Sequence, residues 1–186
     1  MKRKWKLWMI AFVVFVMTDI MMQSNRAEAK KRTFTVSSKT IPCSSSYRQK
    51  PYYNKKTKQY YMINSYMRRL STTGGTLKLK KGTYKIPGTI YVPSNVKIVC
   101  ANGVKIKKTK ATGTKKVKST KFLFQMISEE KASGKQNTGK YAASKNASIQ
   151  GNGKVIFDMG NVNGATAVFV GHASGITVSG VRFRNK

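Results

Sequence analysis

Beyond its first 29 residues this chain of 186 has few groups capable of acid–base chemistry. Glu129, Glu130 and Asp158 are the carboxylates there, and His172 is the imidazole. A calcium site draws on six to eight oxygens, usually several of them acidic. Cleaving a glycosidic bond with paired carboxyl groups requires two that face each other. Asp158 is the one acid on an expected strand, while Glu129 and Glu130 stand together at the start of a polar excursion, where solvation is expected. The candidate catalytic residues are therefore Asp158 and His172. His172 lies in VFVGHASGITV at a strand end followed by a turn, so a turn-stabilising hydrogen-bond role competes with an acid–base one. Arg182 and Arg184 alternate on the last strand and point the same way. If they face outward, they form a paired cationic site suited to carboxylates or phosphates. No Ser-His-Asp arrangement, Cys-His zinc spacing or phosphate-cradling loop is present, and neither a metal nor another cofactor is expected.

Charge restricts the partners more than motifs do. The chain carries 37 Lys and Arg against five acids, a formal net charge of +32. From Lys30 to Ser128 there is no acidic residue at all. The excess is spread along the chain rather than gathered in one arm, and a balance of this size attracts polyanions. The expected partners are acidic polysaccharides or cell-wall polyanions, with no specific nucleic acid.

The elements that would position these residues begin after a leader. MKRKWK, then LWMIAFVVFVMTDIMM, then a small-residue site at Ala27-Glu28-Ala29 reads as a signal peptide over residues 1–29. No later stretch approaches transmembrane length, so a secreted or cell-surface location is expected. Residues 30–53 read as an extended leader with one strand, Thr33 to Val36. Residues 54–73 hold an amphipathic helix with Tyr60, Ile63, Met67 and Leu70 on one face. Asn54 or Thr57 is placed to cap it, and Gly74-Gly75 to stop it. In an exported chain Cys43 and Cys100 are able to close a disulfide, yet a small buried thiol at Cys100 fits the strand VKIVC equally well.

Residues 74–186 alternate with period two in very short segments: TLKL, TYKI, TIYV, VKIV and VKIK, divided by KKG, PG, PSN and ANG. Strands this short suit a solenoid, in which each turn of chain adds a strand to long stacked sheets. An internal repeat agrees: NVKIVCANGVKIKK from Asn95, NASIQGNGKVIFD from Asn146 and GITVSGVRFRN from Gly175 share a strand, a small turn and a second strand. The offsets of 51 and 29 residues predict about two turns and one, with Ile98, Ile149 and Val178 stacked inward. Residues 109–121, TKATGTKKVKSTK, and the later EEKASGKQNTGKYAASKN read as solvated excursions, the first of them mobile. A β-sandwich is the alternative, but Asn102-Gly103 and Asn152-Gly153 recur at equivalent places, which favours corners over hairpins.

The pattern GGTLKLKKGTYKIPGTIYVPSNVKIV, the helix before it and the later coils resemble the opening of right-handed parallel β-helix proteins of the pectin-lyase-like class. The resemblance covers Tyr60 to Lys186 apart from the Lys-rich excursions. It implies an all-β, right-handed parallel β-helix with an N-terminal amphipathic capping helix. It also implies a protein that binds or processes an acidic polysaccharide, as a lyase or glycoside hydrolase would. Gly171-His172 is similar to part of the Gly-His-Gly motif of polygalacturonases, but Ala173 follows and no acid pair precedes it. The expected picture is of coils without a complete catalytic groove, truncated at the C-terminal end, or of a non-catalytic binding module. The last coil, without a cap, is then a site for self-association.

Overall fold

The computed structural model describes residues 31–134, 143–160 and 162–185. The expected signal peptide lies outside the described residues. The strands are β1 (Arg32–Val36), β2 (Gly75–Leu79), β3 (Gly82–Ile86), β4 (Ile90–Tyr91), β5 (Val96–Cys100) and β6 (Val104–Lys108). They continue with β7 (Phe122–Gln125), β8 (Ser148–Gly151), β9 (Ile156–Asp158), β10 (Thr166–Phe169), β11 (Thr177–Ser179) and β12 (Arg182–Arg184). Three helices accompany them among the described residues: α1 (Ser45–Arg48), α2 (Lys58–Leu70) and α3 (Glu129–Ser133).

Every strand pairing among the described residues is parallel. Sheet A orders β1-β2-β5-β8-β11, sheet B β3-β6-β9-β12, and sheet C β4-β7-β10. From β2 onward the chain visits A, B and C in turn. The fold is thus mostly β, parallel and poor in helix, compatible with a parallel solenoid. A sandwich requires antiparallel hairpins, and none is formed among these residues. Among the described residues no helix is long and apolar enough to cross a membrane.

Period-two alternation decides what each strand buries. Leu77, Ile98, Ile149 and Val178 are consecutive partners in sheet A, so the expected aliphatic column forms in register. Tyr84, Ile106, Phe157 and Phe183 form the matching column in sheet B. Phe124 of sheet C meets Phe157 at 5.2 Å between ring centroids, filling the space between the columns. One expectation about the spacing is corrected. The 51 residues between Ile98 and Ile149 make one circuit, because the two excursions lengthen it.

The repeats also share a corner. Gly74, Asn95, Asn146 and Gly175 hold left-handed backbone (φ 65°, 59°, 54° and 62°) just before successive sheet A strands. Gly enters that region freely and Asn at small cost. Backbone bonds then stack the corners, Gly75 N–H on Asn95 O at 2.9 Å and Asn146 N–H on Ser174 O at 2.9 Å. At the A-to-B corner Asn102 Oδ1 accepts from Lys154 N–H at 2.8 Å, joining one Asn-Gly turn to the next.

Helix α2 starts at Lys58 rather than 54. Asn54 instead caps the preceding turn, its Oδ1 accepting from Lys56 N–H at 2.8 Å. The buried face is wider than the sequence suggested, taking in Tyr61, Met62, Asn64 and Ser65 with Ile63, Met67 and Leu70. Two carboxamides on this helix stand in for missing strands. Gln59 Nε2 donates to Thr83 O at 3.3 Å and its Oε1 accepts from Lys85 N–H at 2.6 Å, along the edge of β3. Asn64 Nδ2 donates to Thr89 O at 3.1 Å and its Oδ1 accepts from Tyr91 N–H at 3.1 Å, along β4. β1 covers the edge of β2. At the opposite edge stand β10, β11 and β12, with Phe169, Val170 and Phe183 exposed.

Three further expectations change. The leader contains α1, whose Tyr47 is buried and donates its hydroxyl to Glu129. Glu130 meets Arg68 at 3.3 Å, so neither glutamate is simply solvated. The excursion after β6, expected to be mobile, folds back on the start of the helical segment: Thr112 is buried and its carbonyl accepts from Asn54 Nδ2 at 3.0 Å. Both cysteines are free. Cys100 is an inward core residue whose thiol is pushed up to about 12 by burial, and Cys43 lies on the surface. The buried-thiol alternative is the one realised.

Replacing Asn64 by Ala leaves a buried carbonyl and an edge amide without partners. We expect a loss of about 1–3 kcal/mol in urea unfolding, the usual penalty for orphaned buried groups. A loss below a few tenths would show that the carboxamide is not sealing β4.

Candidate anion-binding face

Apart from Lys108, the inward positions of sheet B are apolar, and five of the eight outward ones are basic. Lys85, Lys107, Asp158 and Arg184 are register partners in one column. Thr83, Lys105, Ile156 and Arg182 make the other. Neighbouring strands in a sheet lie about 4.8 Å apart, so these cations recur at short, regular steps along the stack. The face exists because three of the four strands alternate Lys or Arg with an apolar residue, TYKI, VKIK and VRFR, while β9 contributes Ile156 and Asp158.

Asp158 is the one carboxylate on this face and it is almost fully buried. Its Oδ2 lies 2.9 Å from Lys105 Nζ and 3.5 Å from Arg184 Nη2, and its Oδ1 accepts from Gly160 N–H at 2.9 Å. Burial opposes ionisation. The hydrogen bonds from Lys105 and Gly160, with the charges of Lys105 and Arg184, outweigh it and hold the carboxyl below its ordinary range. Held ionised, Asp158 has no proton to donate near neutral pH, and general acid catalysis calls for the opposite shift. Its physical effect is to fix two cations on the strands either side of β9.

Beside Asp158 lies a cavity of about 380 Å³, lined by Lys107, Lys108, Thr109, Lys110, Asp158 and Arg184 among others. Of the four residues singled out from sequence, Asp158 and Arg184 come together here. Arg182 is exposed on the same outer face beside Ile156. His172 is exposed on the turn between β10 and β11, with φ 53°, and does not line the cavity. The Arg182–Arg184 pair is therefore divided in its use, since Arg184 is engaged with Asp158.

Sequence reading overlooked the lysines of this face, Lys85, Lys105 and Lys107, and the buried Lys108. The signal was present in VKIKK. With Val104 and Ile106 inward, the same phase sends Lys108 inward and Lys105 and Lys107 outward. Among the described residues no three His, Cys, Asp or Glu side chains come together. The chain matches no known family, no curated protein and no solved structure.

Asp158→Asn should lower stability at pH 7 by about 1–3 kcal/mol, towards the lower end because Lys105 and Arg184 remain partly exposed. The folded-state pKa is depressed, so the wild-type advantage is present above the ordinary 3.8 and is lost as pH falls below it. Unfolding curves of the two proteins should converge below that pH. A difference that persists unchanged into acid would refute the ion-pair role.

Proposed function

We propose that the three parallel sheets are the faces of a right-handed parallel β-helix of the pectin-lyase-like kind the sequence resembles. In this reading the exported protein binds an acidic polysaccharide, or another anionic wall polymer, along the outer face of sheet B. The observation that carries it is the register-aligned basic face, in which Lys85, Lys105, Lys107, Arg182 and Arg184 share a single carboxylate. An extended polyanion lying along the stack meets a cation at nearly every strand. Polymers of this kind gain from many modest contacts, each worth up to about 1 kcal/mol at an exposed site, and from the long-range field of a strongly basic protein.

Binding has more support than turnover. Glu129 accepts from Tyr47, Glu130 is paired with Arg68, and Asp158 is saturated by Lys105, Arg184 and Gly160. Every carboxylate beyond residue 29 is thus occupied by internal contacts. A non-catalytic surface module fits that arrangement better than a lyase or hydrolase.

Retention on immobilised polygalacturonate should be strong at about 0.05 M salt and largely lost by about 0.5 M, as screening shortens the reach of the charges. Lys85→Gln combined with Lys107→Gln should weaken binding about tenfold, equivalent to roughly 1.4 kcal/mol. The charge-matched pair Lys78→Gln and Lys97→Gln, on the outer face of sheet A, should weaken it much less. Equal losses from the two pairs, or equal retention on neutral dextran, would remove the sheet B assignment.

A further inference from the structure

Two stretches of chain leave sheet B for sheet C, one after β6 and one after β9. The cavity of about 380 Å³ lies where they depart. Lys110 and Ala111 come to it from the first stretch, Val162 from the second, and Lys107 and Arg184 from sheet B itself. Its volume belongs to the small end of ligand sites, the size class of a single sugar residue.

Both stretches are fastened. Lys108 ends β6 at an inward position and is 1% exposed. Its Nζ lies among four oxygens: Pro87 O at 3.1 Å, Gly88 O at 2.6 Å, Thr120 Oγ1 at 3.0 Å and Phe122 O at 2.8 Å. Four acceptors satisfy the three N–H donors of an ammonium. Thr120 and Phe122 close the excursion that Thr109 opens, so this one side chain ties both ends of a lysine-rich loop to the β3–β4 corner. Thr112 O, held by Asn54 Nδ2 at 3.0 Å, fixes the loop just beyond Ala111. On the second stretch Gly160 has φ 59° and donates its N–H to Asp158 Oδ1 at 2.9 Å. A Cβ at Gly160 would lie 2.8 Å from Lys108 O, so the two stretches pack backbone against backbone. A site with fixed walls binds without first paying to order them.

The cavity is both cationic and apolar. Asp158 has its two oxygens occupied, by Lys105 and Arg184 on one side and Gly160 N–H on the other. Lys107 and Lys110 meet no carboxylate among the described residues, which leaves positive charge in excess. Ala111 and Val162 supply apolar lining, and lysine stems are apolar as far as the amine. A bare carboxylate or phosphate uses the cations and leaves that lining unfilled. A pyranose ring bearing one carboxylate uses both, with a C–H face on Ala111 and Val162 and its charge at Lys107 and Lys110.

We propose that this cavity is a subsite for a single hexuronate residue. It selects sugar acids from among the polyanions that the sheet B face attracts by charge alone. The choice of ligand rests on the polyanion reading, whereas the fixed walls and the unpaired lysines do not.

Methyl NMR of Ala111 and Val162 in the full-length protein, titrated at constant ionic strength with free galacturonate, galactose and inorganic phosphate, tests the subsite. Galacturonate should shift both methyls saturably, with the millimolar Kd expected of so small a ligand. Galactose, which lacks the charge, and phosphate, which lacks the ring, should each bind at least about fivefold more weakly. Lys110→Gln should weaken galacturonate about fivefold, and Lys115→Gln, in the same excursion but not lining the cavity, by less than about twofold. Lys110 and Ala111 are both exposed, so their replacement leaves the core intact. Ala111→Phe fills the cavity and keeps every charge; it should abolish the Val162 shift while salt-dependent retention on polygalacturonate persists. Methyls that ignore galacturonate, or respond as strongly to galactose or phosphate, would overturn the subsite. Absent shifts with retention intact strike the subsite alone, and lost retention with the shifts intact strikes the polymer reading alone.

Discussion

Parallel sheets made of strands only two to five residues long depend on what happens at their edges. Each edge strand leaves backbone N–H and C=O groups without a neighbour, and burying them unpaired costs as much as the burial of a side chain gains. Here the first circuit is sealed by three different devices. A true strand, β1, serves sheet A, while the carboxamides of Gln59 and Asn64 serve sheets B and C. A carboxamide carries one donor side and one acceptor side, so it reproduces a single step of a strand ladder. The helix that presents them meanwhile buries Met62, Ile63, Met67 and Leu70 over the end of the apolar columns. Hydrogen bonding and hydrophobic closure thus come from a single element.

Beyond this cap the molecule is organised by a shortage of acid. Among 32 lysines and arginines past residue 29, three carboxylates are available, and each joins parts that are distant in sequence. Glu129 reaches Tyr47 on α1, Glu130 reaches Arg68 on α2, and Asp158 links β6 with β12. The first two hold α3 against the cap. The third steadies the basic face. Since these acids are used internally, the outer cations are left facing solvent. Self-repulsion on this scale works against compactness, and screening over about 8–10 Å at ordinary salt moderates it.

Lysine has two distinct fates in this structure, and one residue separates them. Lys107 points out towards water and Lys108 points in, where oxygens replace the water it has lost. The side chain that closes the loop is also the one whose charge is hardest to bury.

The short alternating segments, the Asn and Gly corners and the inward column of Ile98, Ile149 and Val178 were legible in the sequence. They depend on local sterics and a period of two, which a linear chain displays directly. What the chain could not display was which residues meet after it has wound. The 51-residue offset concealed a single circuit. Tyr47 sits 82 residues from Glu129. The pairing of Asp158 with Lys105 and Arg184 follows from register, not from nearness in sequence. The sequence by itself determined the short strands and their alternating apolar faces. The tertiary structure alone decided which charges are paired inside and which remain at the surface, because electrostatic pairing depends on distance in space.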